Sequence, residues 1–498
     1  MTLMDDYFKK FRDQIIGADE YFESPFKEKL KIIYADWTAS GRMYGPIEQH
    51  LIQHIYPYVA NTHTETNTTG KAMTSAYHKA LQIIKKHVNA NANDIIISSY
   101  SGMTGVVNKL QRILGLKIHE QYADKITIAP ENRPVVFITH MEHHSNQTSW
   151  LETIAEVVII QPDESGLVDL NHFAQLLKLY ANRPLKIAAI TSCSNVTGIF
   201  TPYFKMAEMI HEVGGFCFVD FACSAPYIEI NMHPENKNQQ LDAIYFSPHK
   251  FLGGPGSAGV LIFNRKLYTN KIPDISGGGT VEWTNPWGEH KYFDNIETRE
   301  DGGTPSFIQT IRTALCIKLK EEIGVQKMMD REKEIMNRIW EPLNAIPNFH
   351  ILEAHNKNRL CIISFYIDDL HYNLGVKMLN DRFGIQVRGG CSCAGTYGHY
   401  ILNVQREYSN HITDLINHGD YSEKPGWIRL SIHPTTSDQD IDFILEALKQ
   451  LAKNHKSWAN DYHLDLRNND IQCNIEFEDN WVDNQVNRWF DYPMAIST

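Results

Sequence analysis

Seven short runs of β-branched, aromatic and other apolar residues recur through the first half of the chain, at 94–100, 133–139, 155–160, 185–193, 215–220, 242–247 and 258–263. They are continuously apolar rather than alternating, which marks strands covered on both faces. Amphipathic stretches with a helical period lie between them, for example at 105–115, 170–180 and 203–213. Strands alternating with helices predict an α/β architecture around a mainly parallel, doubly wound sheet. After Gly277, Gly278 and Gly279 the pattern breaks into a polar, tryptophan-containing loop over roughly 280–300, and a helical region follows from about 306 to 341. Beyond it, HILEAHN, LCIISFYI and GWIRLSI predict strands of a second sheet, and 438–454 predicts a helix. The expected organisation is a segment 1–30 packing with a small domain, a large α/β domain 31–315, a smaller α+β domain 316–455, and an extension 456–498 of unassigned role.

Composition narrows the function classes. In 498 residues, 43% hydrophobic and 21% charged side chains describe an ordinary globular chain,. The net charge of −12 leaves no basic excess to displace counterions from a phosphate backbone, so no nucleic-acid partner is expected,. No run approaches the ~18 apolar residues of a membrane span. The start of the chain carries Asp5 and Asp6 where a secretory leader needs basic and then apolar residues,. Eight cysteines, sparse and without a CxxC pair, favour a reduced, cytoplasmic setting,.

The chemistry is expected where polar residues punctuate strand ends, because open parallel sheets bind ligands outside the carboxyl ends of their strands. Asp220 closes the strand GFCFVD, and Lys250 follows DAIYF in SPHKFLGGPGSAG, beside Ser247, His249 and glycines that permit close backbone approach,. A lysine amine and a strand-end aspartate are the pair a pyridoxal phosphate site needs: one forms the Schiff base, the other keeps the pyridine nitrogen protonated. Ser247 and His249 are placed to bind its phosphate. SYSGMTGVVN supplies a second phosphate contact, with glycines and Thr104 opening an amphipathic helix,. His143, after the strand 133–139, is a candidate to stack on the ring. The cluster His140, Glu142, His143 and His144 also invites a zinc reading, but His-Met-Glu-His-His matches neither H-E-x-x-H nor H-x-x-E-H,. Cys391 and Cys393 lie in RGGCSCAGTYGHY, as a reactive thiol, a ligand pair or small residues in a turn,. Arg429 in WIRLSIHPTTS is a candidate clamp for a substrate carboxylate,.

The order of these motifs resembles the class V aminotransferase family of fold-type I pyridoxal phosphate enzymes, and within it the cysteine desulfurase-like branch, from about Tyr34 to about Leu451. YADWTASG is similar to the family's early strand and loop, and NTHTETNTTG to the segment in which His63 approaches the substrate. The resemblance implies phosphate contacts from Met103 and Thr104, ring stacking by His143, Asn195 near the phenolic oxygen, and Asp220 on the pyridine nitrogen. It gives Ser247 and His249 to the phosphate and Lys250 to the covalent bond. GGTPS implies that Gly303 and Thr304 reach the phosphate of a neighbouring subunit, hence a homodimer with shared sites. Cys393 aligns with the persulfide-forming nucleophile, and Arg429 with the residue that holds the amino acid's carboxylate. Where relatives carry Gln or His three residues after the aspartate, this chain has Cys223. GGGTV and the paired cysteines are more similar to the desulfurase domain of molybdenum cofactor sulfurases.

The implied activity is removal of sulfur from L-cysteine, or a similar small amino acid, to give alanine and a persulfide on Cys393. A sulfur-accepting protein then takes the sulfur onward. Three rivals remain at this level. One is an aminotransferase, epimerase or lyase with the same cofactor and a dispensable Cys393. The others are a family member that binds without turning over, and the zinc site.

Overall fold

The computed structural model describes residues 2–123, 125–475 and 481–491; of the expected 456–498 segment, 476–480 and 492–498 lie outside the described residues. All seven predicted runs are strands of one sheet: β1 (Asp94–Ser99), β2 (Val135–Thr139), β3 (Glu156–Ile160), β4 (Lys186–Thr191), β5 (Phe216–Asp220), β6 (Ala243–Phe246) and β7 (Gly259–Asn264). Their spatial order is β1-β7-β6-β5-β4-β2-β3. Pairings from β6 through β3 are parallel, while β7 runs antiparallel to both β6 and β1. A parallel neighbour needs a helical crossover. Residues 247–258 between β6 and β7 hold only a single 3₁₀ turn, so the chain doubles back instead. The remaining six strands share one direction, and their carboxyl ends converge on one edge of the sheet.

Helices cover both faces, as the apolar runs require. Helix Gly102–Ile113 turns Met103, Val106, Val107, Leu110 and Ile113 inward, an i, i+3, i+4 stripe packed with Ile95, Ile97, Leu261 and Phe263,. The opposite face packs Ile96, Val260 and Ile262 with Tyr77, Leu81 and Ile84 of helix Thr68–His87 and Ile311 and Ile317 of helix Phe307–Ile323. The expected division at 315/316 falls inside that last helix. The long helical region is two helices, broken at Gly324, whose φ of 89° a residue with a side chain rarely adopts,. The polar stretch expected as a loop contains a hairpin, Val281–Thr284 with His290–Tyr292.

A second, antiparallel sheet comprises β8 (Phe349–Ile351), β9 (Ile362–Ile367), β10 (Arg388–Gly390) and β11 (Trp427–Ser431) in the order β8-β9-β11-β10. Helices Val325–Asn344, Tyr372–Phe383 and Asp438–Trp458 cover it through Ile335, Ile339, Met378, Leu379, Ile444 and Leu448. Strand β10, in the glycine-rich RGG, was not predicted: it offers no apolar run. The N-terminal helix Leu3–Arg12 buries Phe8 and Phe11 in the core beside the first sheet. Its cap Thr2 donates its backbone N–H to Asp438 at 2.9 Å, tying it to the second layer.

Candidate active site

The converging strand ends frame a cavity of about 260 Å³. Lys250 lines it from the 3₁₀ turn after β6, and Asp220 from the end of β5. Asp220 is 2% exposed and accepts one hydrogen bond, from the Ala222 N–H at 2.7 Å. Burial raises its carboxyl to about 6, against the pull of Ala222 and Lys250. Burial lowers the Lys250 amine below the ordinary lysine range, while Cys223 and Asp220 facing it oppose the shift,. An amine in this setting is more readily neutral, and so more available to take a proton near pH 7, than a lysine in water,.

His143, on the cavity wall, is the N-cap of helix His144–Leu151 and accepts the Ser145 N–H at Nδ1, 3.1 Å. Burial, then the positive charge of Lys250, lowers its pKa to about 3, so the ring is neutral at pH 7. His249 is likewise lowered to about 4 by burial. Helix Gly102–Ile113 brings its N-terminus to the same cavity, with Ser101, Met103 and Thr104 on its wall. The free N–H groups of a helix start form an anion site. Gly259 at the start of β7 permits this approach: a Cβ there would stand 2.2 Å from the Gly102 carbonyl carbon.

The thiol enters from the second layer. Cys393 is exposed and lines the cavity. Its loop is braced by the Asn195 amide donating to the Ser392 carbonyl at 2.7 Å and the His144 N–H donating to the Cys393 carbonyl at 2.8 Å. Arg429 on β11 is buried and lines the same cavity, its guanidinium donating to the Asn195 carbonyl at 3.1 Å and to Asp36 at 2.7 Å.

The residues present fit an aldehyde-phosphate cofactor. Asn195 Oδ1, Thr38 Oγ1 and Ser392 Oγ are buried without a partner around the cavity. A helix N-terminus, whose free N–H groups suit an anion, lines it, and a buried, singly bonded carboxylate lines it with the lysine,. A family model, Aminotransferase class-V, matches residues 33–444. The chain belongs to the aminotransferase class-V family. Among curated relatives, a probable cysteine desulfurase of Pyrococcus abyssi is 26% identical over 431 residues, 86% of this chain and 96% of the relative. One of Staphylococcus epidermidis is 28% identical over 426 residues, 84% of this chain and 92% of the relative. Solved cysteine desulfurases share the fold: one from Thermococcus onnurineus has a TM-score of 0.68 at 22% identity, covering 85% of this chain and 95% of that one. One from Escherichia coli has a TM-score of 0.68 at 19% identity, covering 90% and 98%.

In this class-V chain the structure brings Met103, Thr104, His143, Asn195, Asp220, Cys223, Ser247, His249, Lys250, Cys393 and Arg429 to one cavity. It does not bring three others there. His63 lines a separate cavity of about 570 Å³ with Tyr77, Gly279 and Asp301. Gly303 and Thr304 are exposed; the Gly303 N–H donates to the Gly278 carbonyl and the Thr304 carbonyl accepts from Tyr100. The four residues of the zinc reading are engaged separately: His140 with the Gly166 carbonyl, Glu142 with Thr139, Thr191 and Asn146, His143 as a cap, and His144 with the Gly395 N–H. Among the described residues no three His, Cys, Asp or Glu are grouped to hold a metal ion. Cavity residues the sequence reading did not single out include Thr38, Ser101, Ser145, Cys193 and Arg388. Ser101 sits inside SYSGMTGVVN and Arg388 opens RGGCSCAGTYGHY, so both lie within motifs that the sequence made prominent.

Proposed function

We propose that this class-V chain is a pyridoxal phosphate-dependent cysteine desulfurase that converts L-cysteine to alanine and leaves the sulfur as a persulfide on Cys393. The observation that carries the reading is one cavity joining Lys250, Asp220 and Arg429 to an exposed cysteine on a braced loop. The names of the similar desulfurases point the same way.

Pyridoxal phosphate, when bound, supplies an electron sink for negative charge at the substrate's Cα. Met103, Thr104, Ser247 and His249 would hold its phosphate, Asp220 its ring nitrogen, Asn195 and Cys223 the region of the phenolic oxygen, and His143 the ring face. Arg429 holds the substrate carboxylate, and Lys250 in its neutral form moves the proton at Cα. The Cys393 thiolate attacks the substrate sulfur: a Cys393–S bond forms, the substrate C–S bond breaks, and its electron pair stays on carbon, which takes a proton to give alanine. The persulfide then passes to an acceptor protein or a reductant. Eight free cysteines, none in a disulfide, suit a reducing, cytoplasmic setting,. His63, Gly303 and Thr304, outside the cavity of their own chain, fit a homodimer in which they serve the neighbouring site.

The test is anaerobic turnover of L-cysteine by the cofactor-loaded protein with a reductant, beside Cys393→Ala and Lys250→Ala. Matched alanine and sulfide are expected from the parent, neither product from Cys393→Ala despite an unchanged cofactor spectrum, and at least a ~10²-fold loss in Lys250→Ala. A spectrum perturbed by cysteine without products, or an unaffected Cys393→Ala, would sink the thiol role and direct an amino-acid screen for aminotransferase, epimerase or lyase activity.

A further inference from the structure

The cavity holds a second guanidinium for which the reaction above has no task. Arg388, on β10, lines it beside Arg429, with its side chain 48% exposed. One carboxylate serves both: Asp36 Oδ1 accepts from Arg429 Nη2 at 2.7 Å, and Asp36 Oδ2 accepts from Arg388 Nε at 3.2 Å. Asp36 lies behind the two arginines rather than on the cavity wall, its side chain 14% exposed. Its backbone is fixed by a parallel bridge to Ser431, two residues beyond Arg429. With the Asn195 carbonyl on its other side, the Arg429 head is held in place while its Nε–H remains without a partner.

The charge count then decides what fits. Arg388, Arg429 and Asp36 together carry one net positive charge, the complement of a single carboxylate. Without Asp36 they carry two, the complement of a dicarboxylate. A half-exposed arginine with no counter-ion, at the mouth of a low-dielectric cavity, would recruit any second anion on the substrate.

We propose that Asp36 sets the charge selectivity of this site: by neutralising one of two arginines it tunes the cavity to an α-amino acid with an uncharged side chain and against one with a second carboxylate. The inference rests on Arg429 as the substrate-carboxylate clamp, and it makes Asp36 a positioning residue that acts through Arg429 and Arg388.

The experiment is calorimetric titration of the cofactor-loaded protein with L-alanine and with L-aspartate, neither of which requires C–S cleavage. Failure of the desulfurase assay therefore leaves this measurement standing. Asp36→Asn is expected to shift the aspartate-to-alanine affinity ratio toward aspartate by about fivefold or more, the order of one unscreened charge near a partly buried site. Asp36→Glu should stay within about twofold of the parent, and Arg388→Ala should shift the ratio the opposite way. Equal weakening of both ligands in Asp36→Asn, at an unchanged ratio, reduces Asp36 to a structural part and overturns the proposal. If Asp36→Asn does not fold, an unchanged ratio in Arg388→Ala overturns it instead. Parent-like alanine binding by Arg429→Ala would remove the clamp and the inference with it.

Discussion

At Ser392 and Cys393 the backbone is left-handed, with φ of 52° and 57°, a conformation that costs residues with side chains on the order of 1–3 kcal/mol each,. Two such residues in succession persist only because partners on other elements fix them. Asn195 and the His144 backbone hold the two carbonyls, and the His144 ring accepts the Gly395 N–H at Nε2, 3.0 Å. The loop so held leaves the Cys393 side chain on the cavity wall. His144→Ala removes only the ring contact. Its expected result is a roughly tenfold lower rate of sulfide release with an unchanged cofactor spectrum and a stability loss of about 1 kcal/mol, measured by steady-state kinetics and thermal melting. A rate equal to the parent's would show that the loop needs no such brace. This contact was not legible beforehand: the two partners are 251 residues apart, and a histidine beside His143 reads locally as loop.

Among elements, the decisive feature is the reversed strand β7. Because it enters the sheet from the cavity edge, its first residue, Gly259, meets the start of the cavity-facing helix Gly102–Ile113. An added methyl there would overlap the Gly102 carbonyl carbon at 2.2 Å, and backbone on both sides leaves no flexible atom to yield. Gly259→Ala is therefore expected to weaken cofactor affinity at least tenfold and to destabilise the protein by about 1–3 kcal/mol. Titration of the cofactor-free protein with pyridoxal phosphate, alongside a melt, measures both. Gly277→Ala is the control, since a Cβ at Gly277 meets nothing within 4 Å. A Gly259→Ala protein indistinguishable from that control would mean the helix start is free to move.

The whole molecule is held by polar ties that cross between layers, and they titrate. Glu332 of helix Val325–Asn344 accepts the Cys361 N–H at the entry to β9, buried at 2% exposure. Burial raises its carboxyl to about 8. A carboxyl raised on folding binds its proton more tightly in the native state, so its stabilising contribution is full below the unfolded value and lost as pH climbs through about 8,. Glu332→Gln removes that loss. The melting temperature of the variant should gain on the parent as pH rises from about 5 to about 9, and a difference independent of pH would contradict the assignment. His433, stacked on Trp37 at 4.2 Å and lowered to about 3 by burial, works in the opposite sense. Its contribution is present above the ordinary histidine range and drains away as pH falls toward about 3,.

Chain order alone was enough to reveal the seven strands, the helices between them and most of the lysine cavity. A strand buried on both faces must be locally apolar, and groups that work at strand ends must follow those runs in sequence, so Asp220, Ser247, His249 and Lys250 are legible without coordinates. Residues joined only by packing were not. Asp36 meets Arg388 and Arg429 from 352 and 393 positions away, and no local period records that meeting. The direction of β7 followed from a connection that lacks a crossover helix, and the break at Gly324 from a single backbone angle. His63, read as a neighbour of the substrate, faces a different cavity within its own chain. Local hydrophobic period reports which face of an element is buried; which elements then touch is settled by the energy of burying those faces together, and that depends on the whole chain at once.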